Sequence, residues 1–246
     1  KAKTAIADAV IALAHLEGRR PGDEGLSIQR DVVARTAREK NLAMWSTASE
    51  RLADMMLDVA ISRREPALAR EGAGIIREVI ERETTRAKFS GLWSANQMRL
   101  GRLLHQVGEA THDATALADA EKAYRAAAEE RPRDRTPALW FEAIAGAGLA
   151  EVRRAEFLRD ESVAADAVAT LISAGSVDIP ADHPDAQLAV RALAQARVVL
   201  ARLKSDPALA VQARDDLKTL LATVDRTNAP SDWAWASLHY ANALVA

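Results

Sequence analysis

The tryptophans recur at a nearly constant interval, and this interval constrains the fold more than any other feature of the sequence. Trp45, Trp93 and Trp140 are separated by 48 and 47 residues. Two further steps, of 47 and 46 residues, lead to Gln187 and Trp233. A fixed period of 20–50 residues is typical of repeat proteins, in which each repeat is one supersecondary unit that stacks on its neighbours.

Other residues recur in phase with these anchors. The position eight residues after each anchor is mostly small, and it holds Ala53, Gly101, Gly148, Gln195 and Ala241. The position 31 residues after the first four anchors lies in a second apolar stretch, at Ile76, Tyr124, Leu171 and the pair Leu217 and Lys218. Residues 1–40 fit the same frame as a first repeat without its anchor. The small residues and the second apolar stretches keep a constant distance from the anchors, so we interpret the period as a true repeat.

Each repeat is predicted to contain two helices. Apolar residues recur at steps of three and four, and no stretch alternates with period two over a useful length. The first helices are expected near 2–17, 41–62, 89–108, 136–158, 183–204 and 231–246. The second helices are expected near 26–38, 66–83, 114–130, 160–174 and 207–223. Gly108 marks an expected helix end, and short links make neighbouring helices antiparallel.

The chain is expected to form a single helical-repeat domain rather than one closed globule. The repeats cover approximately 1–40, 41–88, 89–135, 136–182, 183–229 and 230–246. The sequence does not begin with Met and stops inside an apolar helical pattern. We therefore expect a fragment of a longer protein.

Composition excludes several functional classes. The chain has no cysteine, which excludes disulfides, Cys-based zinc sites, iron–sulfur clusters and thiol nucleophiles. A net charge of −2 gives no overall attraction to nucleic acid or to an anionic membrane. The longest run without a charged residue is Trp233 to Ala246, shorter than the roughly 20 residues that a membrane-spanning helix needs. Alanines in register, such as Ala120, Ala123 and Ala127, are expected where helices pack closely. The abundance of Ala, Arg and Asp suggests a bacterial source. We expect a cytoplasmic location, and the absence of cysteine is equally compatible with the periplasm.

The third repeat carries the fullest signature. Its in-phase residues are Leu100, Gly101, Leu104, Gly108, Ala120, Tyr124, Ala127 and Pro132. This set resembles the tetratricopeptide repeat, in a long-period and degenerate bacterial form. The resemblance implies a right-handed α-solenoid of antiparallel helix pairs, with about five hairpins and a final half repeat. HEAT-like helix pairs, which have a similar period, are the alternative fold.

No catalytic pattern stands out. A phosphate-binding loop, a nucleophile elbow and a His-Glu-x-x-His pair are all missing from the sequence. His105, Glu109 and His112 come closest to a metal site, but a groove histidine, a helix-end glutamate and a solvated histidine explain them better. The basic stretch 131–135 is interrupted by Asp134, which disfavours nucleic-acid binding. We predict no enzyme activity, no cofactor and no metal.

The resemblance implies that the first helices line a concave groove that binds a peptide or a partner protein. Counted outward from the small residues, the groove candidates are Glu50, Asp54, Met98, Arg102, His105, Gln106, Glu142, Leu149 and Arg153. For Met98, ordinary packing is the alternative. The fifth repeat would add an apolar lining of Ala189, Ala192, Ala196, Val199 and Leu200. That lining is either a partner groove or a surface that the chain's own helices cover.

The function that follows is a non-enzymatic protein–protein interaction scaffold. Two alternatives remain: a regulatory or sensor module of a larger bacterial enzyme or signalling protein, and an all-α small-ligand binder or enzyme. The last helix also offers an apolar face for self-association. Its candidate residues are Trp233, Trp235, Leu238 and Tyr240.

Overall fold

Every regular element in the described part of the chain is an α-helix. The computed structural model describes residues 9, 13, 23–36, 41–178, 188–227 and 229–244. Within them lie α1 (Asp23–Arg35), α2 (Leu42–Arg63), α3 (Pro66–Arg82), α4 (Ser90–Thr111), α5 (Ala114–Glu129), α6 (Pro137–Leu158), α7 (Glu161–Gly175), α8 (Leu188–Lys204), α9 (Pro207–Thr223) and α10 (Pro230–Leu244). The all-α prediction is confirmed, whereas the helix expected over 2–17 and the anchor Gln187 lie outside the described residues.

The helices form two compact units, which we call the N-terminal unit (residues 1–130) and the C-terminal unit (residues 131–246). In the N-terminal unit each helix packs on the next, and the first helices α2 and α4 also touch. In the C-terminal unit consecutive helices pack in the same way, and α6 contacts α8 while α8 contacts α10. Within each unit, contacts between neighbours and between alternate helices are those of stacked helical hairpins.

The turn inside each hairpin repeats the same two-residue geometry. The first residue has a left-handed backbone, at Arg64, His112, Arg159 and Ser205, with φ between 52° and 58°. The second residue precedes the next helix, and the carboxylates of Asp113, Asp160 and Asp206 each accept two backbone N–H groups of that helix. A link this short requires antiparallel helices, as the sequence predicts.

The predicted end of α4 at Gly108 is wrong. The helix continues to Thr111, and Gly108 is buried inside it. A Cβ atom on Gly108 would lie 2.5 Å from Cγ of Leu117. This glycine therefore permits close contact between α4 and α5, and His112 ends the helix in its place.

The in-phase small residues are sockets for large side chains of the second helices. A Cβ on Gly101 would lie 2.7 Å from the ring of Tyr124, and one on Gly148 would lie 2.6 Å from the side chain of Leu171. Ala120 and Ala127 flank Tyr124 in α5 with 0% exposure, and Ala123 is 5% exposed. The expectation that in-register alanines lie at close helix contacts is confirmed here.

An arginine stacks on three of the anchor tryptophans, always from seven positions earlier in the chain. Arg86, Arg133 and Arg226 lie over Trp93, Trp140 and Trp233, at 5.1, 5.2 and 4.5 Å from the ring centroids. Arg86 also pairs with Glu129 and Glu130, and the hydrogen bond that its guanidinium donates to Glu130 raises its pKa. The spacing of seven residues between arginine and tryptophan recurs with the repeat and is the signal in the sequence that indicates this stacking.

Replacing Asp113 by alanine is expected to destabilise the fold by about 0.5–2 kcal/mol, because two N–H groups at the start of α5 lose their acceptor. Chemical unfolding followed by circular dichroism measures this loss. Glu65 provides the matched control, since it occupies the same repeat position and makes no side-chain cap hydrogen bond. Glu65→Ala should stay within about 0.5 kcal/mol of the parent, and equal losses in both variants would contradict the capping role.

Candidate partner-binding surface

The first-helix side of the N-terminal unit carries a polar network between α2 and α4. Nε of Arg99 lies 3.1 Å from Oδ1 of Asp54, and its guanidinium is 3.7 Å from the carboxylate of Glu50. The amide of Asn96 donates to Glu50 at 2.8 Å and to the hydroxyl of Thr84 at 3.1 Å. Arg99 was not among the predicted groove residues. Its positive charge offsets much of the negative charge of Glu50 and Asp54.

The remaining candidates of the N-terminal unit differ in exposure. Arg102 is exposed, while His105 and Gln106 are half-buried. Met98 is 4% exposed, which agrees with the packing alternative for this residue.

The suggested metal trio is not assembled. Nε2 of His105 lies 3.6 Å from Glu109, whereas His112 adopts the left-handed conformation that ends α4. No group of three or more His, Asp or Glu side chains is placed to hold a metal ion within the ranges that the structure describes.

In the C-terminal unit the three predicted residues are all partly buried. Glu142 lies 3.7 Å from the guanidinium of Arg131, and Arg153 pairs with Glu156 at 2.9 Å. Leu149 packs against an apolar cluster formed by α6, α7 and α8.

The apolar lining expected in the fifth repeat is covered by the chain's own helices. Ala189, Ala192, Ala196, Val199 and Leu200 are all at most 6% exposed. Four of them pack against Val152 and Ala155 of α6 and against α7. The alternative of self-coverage is therefore the one observed, and these residues offer no surface to a partner.

A different surface lies on the first-helix side of the C-terminal unit. We call Arg191, Arg202, Trp235 and His239 the basic–aromatic patch. The guanidinium of Arg191 lies 4.6 Å from the ring centroid of Trp235, and the ring of His239 lies 4.0 Å from it on α10. Arg191 also pairs with Asp232 at 2.8 Å, and Arg202 donates to the backbone carbonyl of Asn242 at 3.3 Å.

His239 in this patch is poised toward the neutral form. Burial lowers its pKa below the ordinary value, and the positive charges of Arg153, Arg191 and Arg202 lower it further, while Glu156 opposes them. Sequence reasoning missed Arg191, Arg202 and His239. The sequence does contain one sign of this patch. Arg191 and Arg202 are 11 residues apart, about three helical turns, which places both arginines on one face of α8.

A shallow depression lies where α6 begins and α7 ends, at the open end of this hairpin of the C-terminal unit. It encloses about 440 Å³ and is lined by Arg133, Asp134, Pro137, Ser176, Val177 and Asp178. Arg133 donates to the backbone carbonyl and hydroxyl of Ser176, at 2.9 and 2.8 Å, and that hydroxyl donates to the carbonyl of Ser173. The hydroxyl proton of Ser176 is thus directed to a backbone carbonyl, whereas a serine nucleophile is activated by a side-chain base.

The residues proposed for self-association are divided between two environments. Trp235 and Tyr240 pack against a cluster that includes Val198, Leu217 and Ala243. Trp233 lies beneath Arg226, whereas Leu238 is 61% exposed. Among the four residues predicted for self-association, Leu238 is therefore the one that exposes a large apolar side chain.

Neither a protein-family model nor a curated protein sequence matches this chain. Among the described residues, we find no helix with both the length and the apolar character needed to cross a bilayer.

Proposed function

We propose that this chain is a non-enzymatic protein–protein interaction scaffold, a degenerate tetratricopeptide-like array of the long-period bacterial form that works in the cytoplasm. Its partner is a peptide or protein segment that carries carboxylates. The observation that carries this proposal is the basic–aromatic patch, in which the ring of Trp235 contacts both Arg191 and His239.

The patch has the residue types that dominate binding energy at protein interfaces. Tryptophan and arginine are the residues most enriched among binding hot spots, because they combine a large contact area with directional polar groups. Arg191 and Arg202 each supply a planar guanidinium, which matches the two oxygens of a carboxylate. The stacking of Arg191 on Trp235 holds both groups in place before a partner arrives, which reduces the entropy lost on binding.

The N-terminal unit supports the same function with a different charge pattern. Its first-helix side presents exposed Asp54 and Arg102 beside the network centred on Arg99. Charged residues of both signs on a binding surface contribute more to the choice between partners than to the affinity for any one of them.

The test uses peptides selected from a random phage-displayed library against the whole chain. We expect the selected peptides to be rich in Asp and Glu, and Arg202→Glu or Trp235→Ala to weaken their binding at least tenfold in fluorescence anisotropy. Arg214→Glu is the matched control, because Arg214 lies on the second helix α9 and pairs with its neighbour Asp215 at 2.7 Å. Affinities that stay within twofold in the two patch variants would contradict the proposal.

The pH dependence of binding gives a second readout of the same experiment. His239 is neutral near pH 7, because burial and then Arg153 lower its pKa. A carboxylate bound beside it favours the protonated imidazolium, so the complex takes up a proton that the free protein does not hold. Affinity should therefore rise as the pH falls from 7 toward 5, and His239→Gln should flatten this rise.

A further inference from the structure

Gln195 occupies a surface position of the repeat, although its spacing from the anchors places it at a socket. The left-handed residues that follow the first helices give the register of each repeat directly, and they are Arg64, His112, Arg159 and Ser205. The sockets lie eleven positions before them, at Ala53, Gly101, Gly148 and Ala194. Ala194 is 0% exposed and belongs to a cluster that includes Leu217 of α9. Gln195 therefore matches three of the predicted groove residues, each ten positions before its left-handed residue: Asp54, Arg102 and Leu149.

The side of α8 that carries Gln195 faces away from the second helices. A helix turns by about 100° per residue, so Arg191, Gln195 and Arg202 lie within about 40° of one another around α8. The opposite side of α8 pairs with the second helices, through Arg197 with Asp216 of α9 and Lys204 with Glu161 of α7. Gln195 thus lies within the basic–aromatic patch, between its two arginines.

Gln195 is buried more deeply than the four residues of the patch. Its side chain is 5% exposed, whereas the patch residues are half-buried or exposed. Its Nε2 atom is shielded from solvent and has no hydrogen-bond acceptor among the residues that the structure describes. A buried donor without an acceptor destabilises a fold, and an apolar side chain of similar size avoids this cost. The amide of Gln195 is therefore costly to the free protein.

The groups around Gln195 are positively charged. Besides burial, the charges of Arg153, Arg191 and Arg202 lower the pKa of His239, so a third arginine, from α6, acts on this part of the surface. Guanidinium groups and the Nε2 amide of Gln195 are all hydrogen-bond donors. The group that fits them is an acceptor with negative charge.

We propose that Gln195 is a specificity-determining residue of the basic–aromatic patch and donates a hydrogen bond to a carboxylate of the bound peptide. This inference rests on the proposed function. The carboxylate lies between Arg191 and Arg202, and the amide turns toward it about its terminal torsion, which has no sharp energy wells. A hydrogen bond to an ionised carboxylate is stronger than one to a neutral amide, so Gln195 favours Asp or Glu over Asn or Gln in the peptide.

Gln195→Leu tests the proposal through two measurements with opposite expected signs. The thermal midpoint should rise, because the unpaired donor is removed. The affinity for the selected acidic peptide should fall about tenfold or more in fluorescence anisotropy, because a hydrogen bond to a charged group is lost. Gln212→Leu is the matched control, since Gln212 is exposed on the second helix α9. It should leave the affinity within twofold of the parent.

Gln195→Glu keeps the shape of the side chain and replaces the donor by a carboxylate. It should weaken binding of the acidic peptide more than Gln195→Leu does, because the new carboxylate competes for the same arginines. A thermal midpoint that falls in Gln195→Leu, or affinities within twofold of the parent in both variants, would overturn the proposal. If Arg202→Glu still weakens binding in that case, only the role of Gln195 fails. If Arg202→Glu also binds like the parent, the proposed function fails with it.

Discussion

Replacing Gly101 by leucine is expected to lower the free energy of unfolding by about 2 kcal/mol or more. A Cβ at this position would lie 2.7, 2.8 and 3.0 Å from three ring carbons of Tyr124, and the leucine adds three further carbons beyond it. The ring cannot move aside, because Tyr124 is only 5% exposed and is packed between alanines of α5. Overpacking of this kind typically costs about 1–3 kcal/mol, occasionally more, and it outweighs the gain of about 0.8 kcal/mol in helix propensity.

Gly74→Leu is the matched control for this substitution. Gly74 lies in the interior of helix α3, and a Cβ there meets nothing within 4 Å. The same replacement should therefore raise the free energy of unfolding by roughly 0.5–1 kcal/mol, since only the propensity gain remains. Chemical unfolding followed by circular dichroism measures both variants. Equal stabilities would mean that Gly101 is not a socket.

A double variant tests whether Tyr124 is the side chain that fills this socket. Tyr124→Ala alone should be strongly destabilising, since it leaves a cavity against Gly101. In the chain that carries both Gly101→Leu and Tyr124→Ala, the new leucine enters the vacated space. The combined loss should fall short of the sum of the single losses by at least about 1 kcal/mol, as expected for residues in direct contact. Additive losses would indicate that the two residues do not touch.

The sequence predicted the helix positions closely because two independent signals define them in every repeat. The apolar spacing of three and four residues marks each helix, and the helix-breaking Gly and Pro residues mark the links between helices. Predicted and observed ends agree within a few residues for most helices, such as 207–223, which is observed as Pro207–Thr223. The failure at Gly108 has a physical cause. Glycine ends helices by adopting a left-handed backbone, but it also permits close packing, and only the opposing Leu117 decides between these roles.

The candidate surface was less predictable than the fold. Counting outward from the small residues groups residues by helix face, but it cannot tell which neighbour covers each face. Ala192 and Ala196 are buried because α6 and α7 pack over them, and this contact is not encoded in the spacing of α8 alone. The patch at Trp235 depends on residues from two helices, Arg191 and His239, so its assembly requires the tertiary structure.

The second large effect is expected in the C-terminal unit, where Leu171→Ala should reduce the free energy of unfolding by about 2–5 kcal/mol. Leu171 is 0% exposed, and its side chain fills the space that Gly148 leaves open. Alanine removes three carbons from a cluster shared by α6, α7 and α8, and a contact between rigid helices closes poorly around the resulting cavity. The thermal midpoint should fall by about 2–4 °C for each kcal/mol lost.

Ile172 provides an internal control for Leu171, because the two side chains are adjacent in α7 and point in different directions. Ile172 is 50% exposed, so Ile172→Ala should change the free energy of unfolding by no more than about 0.5 kcal/mol. Hydrogen exchange locates the damage in the Leu171→Ala variant, and the amides of α6, α7 and α8 should lose protection before global unfolding. Similar losses in the two variants would contradict the assignment of Leu171 as the residue inserted at Gly148. In a repeat protein each side chain stabilises mainly its own hairpin and the next, so an inserted leucine contributes more than its exposed neighbour although both are large and apolar.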